Sequence, residues 1–494
     1  ILAAVLFIVA FMVGVEFKAP VIGAVVPGTP AAVTAPENED AVAEPGLAPG
    51  DHVVAVNGEP PDTFMDVMLA VAMAKPESSV NLVVERPGVD TPLEFRLTPE
   101  YSPRLQMLSI GVGEAASTQL FDDLQSVPRN RVLFQQTGLP EQGVSAGMRL
   151  ETVDGRAVET FQQLEAAVRT SDGRPVRTTW RDPERREAEP VTATLPLLPR
   201  LPGFMPAEPR FDGRPATIEG MFGITPLVRI LVPEGFPNHG ILRNGDVLLR
   251  IHDAVGPRRI DLASILQPHA GGTVRVDVLR DGERLTLDAR VNDRGQLGVI
   301  PDLAWDLPMI AEPVRRQQVP TGDGEDRAYT LHPTPASDLN LPPLTRIVAV
   351  NDTAVTDWAT FRGALAAHSD PGTPVRLTVE YPTGDQPRET LDWSLSAADL
   401  ATLDDRGWRA ALDATYFEPL MITRTAGGNP VRALTMGVEE TYNLVIMTYM
   451  TIDRLFRGSV RIEQMRGPVG IVHIGTRIAD QGLMYLLFFL AIIS

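Results

Sequence analysis

The sequence predicts an α+β protein: a tandem array of about four β-rich barrel or sandwich units, flanked at both ends by apolar helical segments. Three observations predict it. A strand–turn–helix phrase returns with a steady period through the middle of the chain, prolines and glycines are abundant, and both ends are almost wholly apolar. The period is read at Asn57, Asp154, His252 and Asn351, whose separations of 97, 98 and 99 residues signal four copies of one unit. Forty-four prolines and 41 glycines favour turns and short strands over helix bundles. A length of 494 residues suits three to five domains at roughly 100–200 residues each.

The chain begins with the uncharged run Ile1 to Val15. As a helix it would span about 22 Å at about 1.5 Å per residue, short of the roughly 30 Å hydrocarbon core, so residues 1–16 are expected to be the end of a transmembrane helix. The first copy then carries Gly46-Leu-Ala-Pro-Gly-Asp-His-Val-Val-Ala-Val-Asn-Gly58, with a helix from Thr63 to Ala74. The second reads Gly143-Val-Ser-Ala-Gly-Met-Arg-Leu-Glu-Thr-Val-Asp-Gly155, with a helix from Thr160 to Arg169. The third runs from Gly240 through Asp246 to Asp253, and the fourth from Leu339 through Ile347 to Asp352. Alternating apolar positions such as Val54 and Val56 suit half-buried strands, and Asn-Gly or Asp-Gly pairs tolerate the positive φ of a tight turn. Phe161, Leu164, Val168 and Trp358, Phe361, Leu365 place apolar stripes on the following helices. Closing strands are expected at residues 80–85, 176–180, 274–279 and 375–380, each followed by a turn and another strand. The resulting boundaries are 20–100, 104–198, 215–300 and 301–396. An amphipathic, juxtamembrane helical region is expected over 405–475, and the start of a second transmembrane helix over 483–494.

Composition narrows the function. Lys and Arg number 44 against 63 Asp and Glu, a net charge of −19, which argues against nucleic acid as a partner. Zero cysteines remove disulfides, thiolate metal sites and cysteine nucleophiles. No HExxH occurs, and no two of the seven histidines lie within four residues of each other, so no helical zinc pair is present. No nucleophile elbow is expected to order Ser, His and Asp for serine-hydrolase chemistry. The acidic stretch Glu37-Asn-Glu-Asp40 reads as a solvated loop. The expectation is therefore that this stretch of chain has no active site, and neither catalytic nor metal-binding residues are assigned to it.

The recurring phrase resembles PDZ domains of the bacterial, circularly arranged kind, whose hallmark is Gly-Leu-x-x-Gly-Asp before a strand ending in Asn-Gly or Asp-Gly. Copy one carries the hallmark in full and copy three nearly so; copy two has Met148 for the Asp, and copy four keeps only strand and helix around Pro342-Pro343-Leu344-Thr345. The resemblance implies peptide binding by strand addition. The receiving edges are expected at Val21, Ile22, Gly23, Ala24 and Val25 in copy one, and at Val228, Ile230 and Val232 in copy three.

The apolar start leading into such a unit, together with Arg466-Gly-Pro-Val-Gly-Ile471 near the end, is similar to the site-2 protease family of intramembrane zinc metalloproteases. Gly467, Pro468, Gly470 and Ile471 match the Gly-Pro-x-x-Ile stretch that precedes the family's third zinc ligand. The resemblance implies a bacterial inner-membrane protein with its PDZ region extracytoplasmic. It also implies zinc in the full-length parent, a membrane-protein substrate or peptide C-terminus as partner, and contact with the lipid bilayer. The catalytic motifs are expected outside this stretch of chain, whose role would be substrate gating in regulated intramembrane proteolysis. In the family the zinc ion lowers the pKa of bound water while a glutamate acts as base. Two other classes stay open: a membrane-tethered PDZ scaffold or secretion component without protease activity, and a PDZ chaperone-protease with a serine protease domain.

Overall fold

The computed structural model describes residues 2–26, 28–38, 45–75, 77–102, 105, 107–171, 173–185, 187–201, 203–207, 218–321, 328–368, 373–383, 388–404, 407–456, 486–487 and 489–490. The protein is a mixed α and β structure with many short strands and few helices. It divides into two compact units, one of Ile1–Thr118, Glu159–Gln163 and Phe417–Ser494, the other of Gln119–Val158 and Leu164–Tyr416. The first therefore holds copy one, and most of copies two to four belong to the second.

Each copy is built alike. A strand (His52–Val56, Arg149–Val153, Val247–Ile251, Arg346–Val350) is followed by a helix (Phe64–Ala72, Phe161–Arg169, Leu262–Leu266, Trp358–His368). A hairpin closes the copy, formed by Val80–Glu85 with Leu93–Leu97, Val176–Arg181 with Val191–Leu195, Thr273–Arg280 with Glu283–Arg290, and Val375–Glu380 with Arg388–Trp393. The first strand of every copy pairs with the first hairpin strand and slips register at the same place: Val53/Ala55, Leu150/Thr152, Leu248/Arg250 and Ile347/Ala349.

The four residues that set the period are equivalent in space as well. Asn57, Asp154, His252 and Asn351 all adopt left-handed backbone with φ of 52°, 49°, 51° and 50°. Each donates its N–H to the hairpin carbonyl opposite: Asn81, Arg177, Arg275 and Arg376. In three of them the side-chain oxygen accepts the N–H of that same residue at 2.8–3.0 Å. Short Asn and Asp side chains tolerate this conformation and bond locally, which is why the phrase ends as it does. Below these turns the expected helix stripes are buried: Phe161, Leu164 and Val168 are each under 5% exposed, and Trp358, Phe361 and Leu365 are fully buried. Thr63 caps the copy-one helix reciprocally with Asp66, an arrangement that stabilises a helix start by about 1 kcal/mol.

At the ends the structure refines the expectations. Leu2–Val13 is a helix, and it packs on the helix Pro430–Phe456 through Phe7, Phe11, Ala433, Met436 and Gly437. Among the described residues no helix is long and apolar enough to cross a membrane. The region 405–475 is not helical from its start: Trp408–Ala410, Phe417–Pro419 and Met421–Arg424 are strands, and the helix begins only at Pro430. Aromatic residues alternating with polar ones favour the extended form there, and Pro419 removes a helix donor. Gly467, Pro468, Gly470 and Ile471 lie outside the described residues, as does most of 483–494.

Candidate peptide-receiving edges

The Gly-Asp turn is a structural device. In copy one Asp51 is fully buried and takes the Arg86 guanidinium on both oxygens at 2.8 Å, while Arg86 also donates to the Gly46 carbonyl. Copy three repeats the arrangement: Asp246, with a fully buried side chain, holds Arg280 at 2.7 and 2.8 Å, Arg280 donates to the Ile241 carbonyl, and the Arg243 N–H donates to Asp246. Donating to the Asp246 carboxylate holds the Arg280 guanidinium above its ordinary pKa. In copy two, Met148 and Asp182 stand at these places, so the pair is absent, and the preceding residue Arg181 donates to Glu151 at 2.6 Å. In copy four Thr345 and Tyr381 stand at these places, and the Thr345 hydroxyl donates to the Pro342 carbonyl at 2.7 Å. Such pairs fix the turn that leads into the strand. Arg86 and Arg280 were legible in the sequence, since each directly follows the closing strand expected at 80–85 or 274–279.

The segments expected to receive a peptide are not open edges. Ile22–Val25 lies beside Val112–Glu114, a strand beyond the expected boundary of copy one that packs on it, and on its other side Ile22 and Val53 bond across to Asp51 and Pro20. The Ile22 side chain is buried in the copy-one core, and Val21 bridges His52. At Gly23 an added Cβ would stand 1.9 Å from the Glu114 carbonyl oxygen, so what approaches Gly23 closely is the chain's own backbone rather than a ligand. In copy three Val228–Leu231 runs between Ile300–Leu303 and Val247–Ile251. Val228, Ile230 and Val232 are buried in that copy's core, and the Val232 N–H donates to Asn244 at 2.6 Å. The outermost strands are therefore Val112–Glu114 and Ile300–Leu303. Their signal in the sequence was a shared phrase, Ile110-Gly-Val112 and Leu297-Gly-Val299, whose glycines both take positive φ.

Copy one is tied by polar contacts to Arg424 and the helix Pro430–Phe456. Arg424, 10% exposed, pairs with Asp62 and lies 3.7 and 4.0 Å from Glu439 and Glu440, with its guanidinium over the rings of Phe11 and Phe17. Asn443 donates to Asp66 at 3.2 Å, and Lys18 pairs with Glu114 at 2.6 Å. Burial pushes the Glu440 carboxyl up to about 7, with Asp66 and Glu439 adding to the rise and Arg424 opposing it.

The string Gly143-Val-Ser-Ala-Gly147 does match a serine-nucleophile pentapeptide, which corrects the expectation that none occurs. Its setting is the reverse of an elbow: Ser145 is an exposed turn residue that follows the short helix Pro140–Gln142 and leads into the strand Arg149–Val153. Among the described residues no three His, Cys, Asp or Glu side chains group as metal ligands. Zinc, which the resemblance implies, is therefore not fitted by these residues, and no chemistry is assigned to it on them.

The class the fold defines is a mixed α and β protein of repeated strand–helix–hairpin units with a short apolar helix at its start. The model of peptidase family M50 matches residues 1–494, and the chain belongs to that family, the site-2 proteases. It is similar to Protease RseP of Yersinia pestis, 28% identical over 153 residues, covering 30% of this chain and 32% of the relative. It is also similar to Regulator of sigma-E protease RseP of Escherichia coli (strain K12), 28% identical over 167 residues, covering 32% and 34%. The chain thus spans about a third of the length of these curated relatives.

Proposed function

We propose that this chain is the substrate-gating region of a membrane-embedded zinc metalloprotease that cleaves membrane proteins, its repeats being PDZ-like units on the extracytoplasmic side of a bacterial inner membrane. The observation that carries the reading is the family match over the whole chain, combined with four copies of one unit, two of them flanked by an outer strand. An exposed strand edge binds extended polypeptide through its backbone. A substrate engaged on the array must therefore present an unfolded stretch, which selects membrane proteins already trimmed outside the bilayer.

Contact with the bilayer is part of the proposal. Val431, Leu434, Val438, Tyr442, Val445 and Tyr449 recur every three or four residues on one face of the helix Pro430–Phe456, and each is more than 40% exposed. Its opposite face carries Ala433 and Met436 against the first helix. An apolar face of this kind, with tyrosines in it, suits the lipid interface. The test is binding of fluorescein-labelled decapeptides with free apolar C-termini to the detergent-solubilised chain, read by anisotropy. Saturable binding is expected, and its absence up to millimolar peptide would defeat the reading.

A further inference from the structure

We propose that a second copy of this chain docks on copy three, the closing strands Glu283–Arg290 of the two chains pairing antiparallel about a two-fold axis at Thr286.

Glu283–Arg290 ends the copy-three sheet on the side opposite to Ile300–Leu303. In an antiparallel ladder successive residues point their N–H and C=O alternately to the two sides. The Arg275 carbonyl accepts from the His252 N–H, so Arg275 faces the strand Val247–Ile251, and Val274, Val276 and Val278 face Ala289, Leu287 and Leu285. Arg284, Thr286, Asp288 and Arg290 therefore turn their backbone groups outward. Arg290 agrees, since its N–H is met from outside by the Asn238 side-chain oxygen at 2.7 Å. Arg284, Thr286 and Asp288 are exposed, and no hydrogen bond among the described residues takes their outward backbone groups.

The first two copies close this edge. Counted from the residues opposite Asn81 and Arg177, the equivalent positions are Pro92, Glu94 and Arg96 in copy one and Pro190, Thr192 and Thr194 in copy two. Both sets begin with a proline, which has no N–H to give. The Asn38 side chain donates to the Pro92 carbonyl and accepts from the Glu94 N–H, while the Glu37 N–H donates to the Glu94 carbonyl. In copy two the Gln142 amide takes both backbone groups of Thr194. Covering of this kind protects an edge from a further strand.

The open edge of copy three also complements itself. Two strands centred on Thr286 set each Arg284 opposite the other chain's Asp288, and neither residue forms an ion pair among the described residues. On the other face the partly buried Leu285 and Leu287 meet the second chain's Leu287 and Leu285. Opposite-charge and apolar cross-strand pairs both favour a sheet, and a two-fold axis repeats each of them. Copy four carries the same Arg-x-Thr-x-Asp at Arg388, Thr390 and Asp392 on an end strand, but Glu389 would face Leu391 there, and Arg388 already lies 4.0 Å from Glu380. Copy three is the better-matched edge.

The chain has no cysteine, so one introduced at Thr286 can form a disulfide only with its equal in another chain. Residues opposite each other in a hydrogen-bonded pair have Cα atoms about 5.5 Å apart, within the span of a disulfide. The whole chain in detergent, carrying Thr286→Cys, Thr390→Cys or Thr192→Cys alone, is oxidised with copper phenanthroline, and linked dimer is followed on non-reducing gels. Thr286→Cys should dimerise roughly 10-fold faster than either of the others. Adding Asp288→Arg to Thr286→Cys should abolish that advantage by setting like charges opposite each other, and adding Arg284→Asp as well, which swaps the charges, should restore it. Restoration separates the charge effect from misfolding. Equal rates at Thr286 and Thr390 would overturn the proposal, as would a rate indifferent to Asp288→Arg or a charge swap that restores nothing.

Discussion

Replacing Asp246 by Asn tests whether the Gly-Asp turn is structural. The substitution preserves shape but removes the charge that holds Arg280 on two oxygens at 2.7 and 2.8 Å. It also turns an amide N–H₂ toward a guanidinium that has only donors to offer. Breaking a buried ion pair from one side costs about 3–5 kcal/mol. The Arg280 side chain is 13% exposed and can reach some water, so the lower figure of about 3 kcal/mol applies. That corresponds to roughly a 100-fold gain in the rate of local opening. Hydrogen exchange of the intact chain should show it at Val247–Ile251 and Thr273–Arg280, with the copy-one strands unaffected. Exchange at Val247–Ile251 that stayed within a few-fold of wild type would refute the argument that the buried pair pins the turn.

Three further outcomes are expected. Gly23→Ala should cost more than about 2 kcal/mol, since its Cβ would fall 1.9 Å from the Glu114 carbonyl oxygen and backbone would have to shift; protection should be lost at Ile22–Val25 and Val112–Glu114 together. Glu440 has its folded pKa raised to about 7 from 4.5, so its contribution is fully present below about pH 4.5 and is lost as pH rises through about 7; the fold should be about 1 kcal/mol less stable at pH 8 than at pH 6. Glu440→Gln should flatten that dependence in a thermal melt series. Arg424→Met should loosen the helix Pro430–Phe456 from copy one, because Asp62 and Glu440 lose their shared cation; proteolysis near residues 425–429 should accelerate.

The repeat was legible because its governing residues are local. Asn57 or Asp154 needs only its own backbone and the strand opposite to justify it, so period, strand and turn could be read from sequence. The helix stripes were readable for the same reason, since three- and four-residue spacing encodes a buried face without reference to distant parts. That Ile22–Val25 is paired on both sides could not be read locally, because the pairing is long range: Ile22 meets Glu114 across more than ninety residues, and no local pattern says which strand ends outermost. The extended stretch before Pro430 was missed because apolar residues spread over a window look alike in a helix and in short strands.

The most direct test of the account is cleavage in cells by the gene product that carries this chain, with residues 20–396 present or deleted. The substrate is a single-span membrane protein made with a folded extracytoplasmic domain or with that domain trimmed to a short unfolded tail. With the array present, only the trimmed substrate should be cut; with it deleted, the folded-domain substrate should be cut as well. Equal discrimination between the two substrates with and without the array would contradict a gating role for these repeats.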